Sequence, residues 1–180
     1  MIVLVDQDNV LADFDGSFLE KWRRQFPGEF YVAFEQRKDF YAHKDYPEEL
    51  KEKIVSVYAA PGFILNLPLI SGASEALAQL IVLGHGVRIC SSPLTNYQNC
   101  VEEKYAWVEK HFGKDFTNRI ILTQDKTLVR GDVLIDDKQE ITGLLNPEWE
   151  HIIFDRPWNR EIRNKRRLTW QNWREVLQGA

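Results

Sequence analysis

Long apolar runs, paired cysteines and ligand-spaced histidines are all scarce in this 180-residue chain. The most apolar stretch, Ile64 to Ile70, is interrupted by Asn66 and Pro68 and falls well short of the roughly 20 residues a membrane span needs. No membrane partner is expected, and the protein should be soluble. Two cysteines, Cys90 in a strand-like apolar run and Cys100 at the start of a helical pattern, cannot build a disulfide framework and lack metal-ligand spacing. Both read as packing residues. His43, His85, His111 and His151 are scattered, without the spacing of a zinc site. With neither a Walker loop nor a GxGxxG pattern, ATP and dinucleotide use are unsupported. The opening Met1-Ile2-Val3-Leu4-Val5-Asp6 has no basic leader and meets an acid after a few apolar residues, so no signal peptide is read and a cytoplasmic setting is the expectation.

What is present is ordinary for a globular protein, with 44% hydrophobic and 28% charged residues. A single domain of this length buries roughly two thirds of the surface its unfolded chain exposes. A formal net charge of -4 argues against a nucleic-acid polymer as partner. The basic stretch Arg156, Arg160, Arg163, Lys165, Arg166 and Arg167 reads as solvated charge balancing an acidic chain.

Ile2 to Val5 is a continuous apolar run ending in a polar loop, which is how a strand covered on both faces of a parallel sheet reads. Val87 to Cys90, Ile120 to Leu122 and Val133 to Ile135 read the same way, and His151 to Phe154 adds a fifth candidate. Helical patterns alternate with them, from Glu75 to Leu83 closed by Gly84, and from about Val101 to Phe112 closed by Gly113. Alternation of this kind predicts an α/β fold with a mostly parallel sheet, helices on both faces, and a site at the carboxyl ends of the strands. Residues 15–71 break the alternation; 12 of the 22 aromatic residues lie between Phe14 and Phe63. They predict a small helical cap inserted after the first strand, with 1–14 and 72–180 forming the core. Trp170, Trp173, Val176 and Leu177 keep helical spacing for a last helix.

Asp6 and Asp8 lie just past the first strand, Asp136 and Asp137 just past the fourth. If those strands are neighbours, the acids converge without an equal count of bases, which is stable only around a cation, and all-oxygen ligands suit Mg²⁺. Taken alone, Asp6 and Asp8 equally well cap a turn. Ser91-Ser92-Pro93 follows the second strand and Asp125-Lys126 the third, and these are phosphate-holding residue types. The plain alternatives are a helix cap for the serines and a solvated lysine for Lys126.

In order, strand-DxD, strand-Ser-Ser, strand-Lys and strand-Asp-Asp resembles the four motifs of the haloacid dehalogenase (HAD) superfamily. That resemblance implies a Rossmann-like HAD core with Asp6 as nucleophile and Asp8 as general acid/base. It implies Mg²⁺ held by the Asp6 carboxylate, the Asp8 backbone carbonyl and Asp137, with Asp136 behind them ordering a water on the metal or Lys126. Ser91, its neighbour Ser92, and Lys126 would bind the phosphoryl group. A closer match runs through Asp6-Gln7-Asp8-Asn9-Val10-Leu11-Ala12-Asp13-Phe14, Cys90-Ser91-Ser92-Pro93, Glu103 to Gly113 and Leu122-Thr123-Gln124-Asp125-Lys126. These segments are similar to the 5'(3')-deoxyribonucleotidases, which dephosphorylate deoxyribonucleoside monophosphates. The resemblance is weakest through residues 15–71. It implies an aromatic substrate slot at Phe14, Phe40, Tyr41 and Tyr58, rings that would otherwise form the inserted segment's own core. Relatives often form dimers, which leaves a homodimer open, though no stretch marks an interface.

Two positions depart from the family pattern: Asn9 stands where glycine is usual at a sharp turn, and Gln124 where arginine often precedes the Asp-Lys pair. A phosphatase acting on a sugar phosphate or another small metabolite is the alternative, because the four motifs fix the reaction and not the leaving group.

Overall fold

The computed structural model describes residues 1–95 and 98–177. Six strands, β1 (Ile2–Val5), β2 (Gly86–Ser91), β3 (Ile120–Leu122), β4 (Val133–Asp136), β5 (Glu150–Phe154) and β6 (Arg167–Leu168), form one parallel sheet in the order β3-β2-β1-β4-β5-β6. The register pairs Val5 of β1 with Ile89 of β2 and with Ile135 of β4. The carboxyl ends of the three central strands therefore share one edge, with the residue after Val5 level with Cys90 and Asp136.

Apolar residues dominate the central strands β1 and β4 because both faces are covered. Val3, Val5, Ile89 and Ile135 join the main core, while the alternate Leu4, Cys90 and Leu134 join a smaller cluster on the opposite face. The main core takes in α3 (Ala73–Val82), α4 (Cys100–Phe112) and the short α5 (Trp173–Leu177). The opposite face is closed by Trp149, Val129 and Ile141, from connections whose helical content is one 3-10 turn, Lys126–Leu128. Burial raises the Cys90 thiol to about 12, so it packs as a small apolar group. α4 ends where Gly113 takes φ +88°, a left-handed value that glycine adopts without steric cost.

The segment between β1 and α3 holds α1 (Phe14–Gln25) and α2 (Lys51–Tyr58), with three 3-10 turns between them. Asp13 starts α1 by accepting a hydrogen bond from Gly16 N, and Phe18 and Trp22 form its buried stripe. Tyr46, Leu50, Ile54 and Val57 close a local core around them. The intervening chain is less helical than its position between two helices suggests, since Pro27, Gly28 and Pro47 interrupt the helical period. Trp170 lies before the last helix rather than in it and donates its indole N–H to Val10 O. Among the described residues, no helix is long and apolar enough to cross a membrane.

One pH response follows from β5. His151 is partly buried with Lys165 Nζ 2.9 Å from its Nδ1, and burial plus that charge lowers it from 6.5 to about 4. The unfolded chain takes up this proton at the higher pH, so the contribution is intact above 6.5 and is lost as pH falls towards 4. The thermal midpoint is expected to fall across that window, and to fall less in His151→Gln. Equal falls in both proteins would place the cause elsewhere.

Candidate active site

Asp6 follows β1 and donates its backbone N–H to Ile135 O of β4 at 2.9 Å, which ties the two acidic strand ends together. Asp6, Asp136 and Asp137 each bring a carboxylate oxygen to within 4.8 Å of the others, and all three are buried. Two lysines face them. Lys126 Nζ lies 2.8 Å from Asp6 Oδ1 and 2.6 Å from Asp136 Oδ2. Lys104, reaching in from α4 with no exposed surface, lies 2.8 Å from Asp8 Oδ2 and donates to Ser91 Oγ at 3.0 Å.

Four carboxylates thus meet two buried ammonium groups, and the imbalance shows in the protonation behaviour. Burial raises the Asp6 carboxyl, with Lys126 opposing and Asp136 adding to the rise. Burial likewise raises Asp8 against the Lys104 charge, and lifts Asp137 furthest, with Asp136 and Asp6 as neighbouring negative charges. Lys126 moves the other way: burial alone would lower it, but Asp136 and Asp6 outweigh burial and keep it charged.

The two acids after β4 differ in what their oxygens do. Asp136 accepts from Lys126 Nζ through Oδ2 and from Lys138 N at 2.8 Å through Oδ1. Asp137 is wholly buried, and among the described residues neither of its oxygens has a hydrogen-bond partner. Such a carboxylate is costly unless a cation meets it. The donor set fits a divalent ion: hard oxygen ligands, two surplus negative charges, and Asp137 oriented by Asn159, which donates to its backbone carbonyl at 2.8 Å.

Ser91 ends β2 and is buried, while Ser92 is partly exposed. Neither caps α4, which starts at Cys100 after Asn99, so the helix-cap alternative falls away. Lys126 is not a solvated lysine either. It sits in a 3-10 turn that Asp125 caps by accepting from Thr127 N at 2.9 Å. Gln124 links the ends of β3 and β2 by donating to Pro93 O at 2.8 Å.

The four aromatic candidates fall into two pairs. Phe14 and Tyr58 lie 5.7 Å apart at the edge of the core with buried Phe63 against Phe14, whereas Phe40 and Tyr41 lie 4.9 Å apart in the inserted segment. Lys138, immediately after Asp137, places Nζ 5.4 and 5.7 Å from the Phe40 and Tyr41 ring centres. Neither Lys104 nor Lys138 is singled out by residue pattern alone. For Lys104 a signal exists: it shares a helix face with Cys100, Trp107 and Val108, and a charge on a buried stripe needs a partner.

This sheet order, with acids at the ends of adjacent central strands, defines a HAD-like fold. The chain superposes with a TM-score of 0.61 on a HAD family hydrolase from Deinococcus radiodurans R1, solved with bound phosphate and sodium, at 17% identity over 99% of this chain and 95% of that one. A family model described as "5' nucleotidase, deoxy (Pyrimidine), cytosolic type C protein" matches residues 1–179, and the chain belongs to that family. A protein of Bordetella pertussis, provisionally named as a 5'(3')-deoxyribonucleotidase, is 54% identical over 99% of this chain and 96% of its own. The human 5'(3')-deoxyribonucleotidase, cytosolic type, is 49% identical over 97% of this chain and 92% of its own.

Proposed function

We propose that this protein is a magnesium-dependent phosphomonoesterase that removes phosphate from deoxyribonucleoside monophosphates through an aspartyl-phosphate on Asp6. The observation that carries the reading is the opposition of the Asp6, Asp136 and Asp137 cluster to the Lys104 and Lys126 ammonium groups, a cation seat facing an anion seat. Family membership supports a nucleotide as the substrate. Residues 1–14 and 72–180 act as the catalytic core and 15–71 as a cap, and the rings Phe14, from the core, and Phe40, Tyr41 and Tyr58, from the cap, receive the base and sugar.

Magnesium held by the Asp6 and Asp137 carboxylates and the Asp8 carbonyl would supply the positive charge that lets one anion approach another. The rest belongs to the chain. Lys126, shared between Asp6 and Asp136, opposes the effect of burial on Asp6 and aims its carboxylate. Lys104, Ser91 and Ser92 hold phosphoryl oxygens. An Asp6 oxygen bonds to phosphorus as the ester oxygen leaves, and Asp8 gives that oxygen its proton. Water then attacks phosphorus, the Asp6–phosphorus bond breaks, and Asp8 takes the proton from water. A phosphate dianion that draws Lys104 away from Asp8 removes the cation opposing Asp8's burial, so binding itself favours the protonated acid.

Lys104→Met is expected to lower kcat/KM by roughly 10²–10³, the size of loss seen on removing one preorganised donor. Near-normal kinetics would take Lys104 out of the anion seat. The basic stretch supports a small-molecule substrate over a polymer, because three of its six members are engaged within the chain: Arg156 donates to Asn9 O, Arg166 to Glu150, and Arg167 to Asp155 and Asn159. The reading as a whole is tested by measuring phosphate release from deoxyribonucleotides, ribonucleotides, sugar phosphates and p-nitrophenyl phosphate, with magnesium and with EDTA. Deoxyribonucleoside monophosphates are expected to be turned over best, and EDTA to stop all release. Preference for a sugar phosphate would replace the substrate while keeping the chemistry.

A further inference from the structure

The turn that carries the acids is tied to the inserted segment by a buried polar chain the mechanism does not use. Asn9, one residue after Asp8, takes the left-handed value φ +58°, and its carbonyl accepts from Arg156 Nε at 2.7 Å. Its side chain donates to Asp15 Oδ2 at 2.7 Å and accepts from Asp15 N at 2.9 Å. The other oxygen of Asp15 accepts from Arg37 Nη1. Arg37 goes on to bind Asp45 Oδ2 at 2.6 Å, and its Nη2 donates to the carbonyl of Asp39 at 2.9 Å and to that of Phe40 at 3.5 Å. Asn9, Asp15 and Arg37 are each at most 5% exposed. A buried ion network of this kind adds little net stability over apolar packing, because desolvation consumes the attraction. What it fixes is geometry, and the two things it joins are the Asp6–Asp8 turn and the loop bearing Phe40 and Tyr41.

We propose that Arg37 and Asp15 are positioning residues that act through the Asn9 side chain to hold the Phe40–Tyr41 loop in register with the catalytic turn, so that a bulky leaving group seats with its phosphate in line with Asp6. This rests on the nucleotide reading above. Arg37→Gln would leave Asp15 and Asp45 uncompensated and threatens folding, so the informative variant is Asn9→Gly. Glycine keeps the left-handed backbone without strain and deletes only the side-chain link. The KM for thymidine monophosphate is expected to rise about tenfold, as for loss of hydrogen bonds to a charged group, while kcat/KM for p-nitrophenyl phosphate stays within about twofold. Adding Asp15→Asn to Asn9→Gly should bring no further rise in that KM. An unchanged nucleotide KM, or equal losses on both esters, would overturn the proposal. A wild-type protein that ignores nucleotides would instead sink the substrate reading, and the device is then decided by amide exchange at residues 38–42. Faster exchange in Asn9→Gly upholds the link, and unchanged exchange overturns it.

Discussion

Asp6→Asn removes turnover, with kcat lower by on the order of 10⁴ or more, while the protein stays folded. The size follows from the proposed role: an amide neither attacks phosphorus nor offers the charge that a bridging cation needs. Folding survives because the lysine beside it keeps a second partner, since Lys126 remains 2.6 Å from Asp136. The backbone link from residue 6 to Ile135 O is likewise untouched. Activity and circular dichroism on the same sample check both halves. Near-normal activity in the variant would remove the covalent step from the scheme.

The second large effect has opposite signs on activity and on stability. Asp137 holds a buried carboxylate whose oxygens have no hydrogen-bond partner among the described residues, and burial together with Asp136 and Asp6 lifts its proton affinity well above the ordinary carboxylate range. A carboxyl raised in the folded state loses stability for the fold as pH rises above the unfolded value of 3.8. Asp137→Asn is therefore expected to abolish magnesium-supported turnover and yet to stabilise the metal-free protein at neutral pH by about 2 kcal/mol, a rise of several degrees in Tm. Magnesium should raise the wild-type Tm by mass action and leave the variant's unmoved. Thermal scans of both proteins with EDTA and with magnesium give all four values. A variant that melts below wild type in EDTA would mean that the carboxylate already has a structural partner.

The parts of this molecule that could be read from its residues are those where burial imposes a pattern. Ile2–Val5 and Val133–Asp136 show as strands because parallel strands covered on both faces leave little room for polar side chains, and the acids stand out for ending such runs. Asp6, Asp8, Ser91, Lys126, Asp136 and Asp137 accordingly meet at one sheet edge. Lys104 is only half legible, since its spacing puts it on the buried stripe of α4 but only the fold reveals that its Nζ faces Asp8 and Ser91. β6 has two residues, too few for any period to register. The chain from Phe26 to Leu50 is held by 3-10 turns and by Arg37 bonding to carbonyls and carboxylates, contacts between residues that carry no repeating spacing. Asn9 is a middle case: its turn is legible in the residue type, but its bond to Asp15 depends on where α1 begins.

The most direct test is a crystal structure of the protein grown with magnesium and beryllofluoride, which imitates a phosphoryl group on a carboxylate. Beryllium is expected joined to an Asp6 oxygen, with a cation touching both Asp6 and Asp137 and fluorides within hydrogen-bond reach of Lys104, Ser91 and Lys126. Beryllofluoride seated away from Asp6, or a cation that does not touch Asp137, would contradict the roles proposed for Asp6 and Asp137.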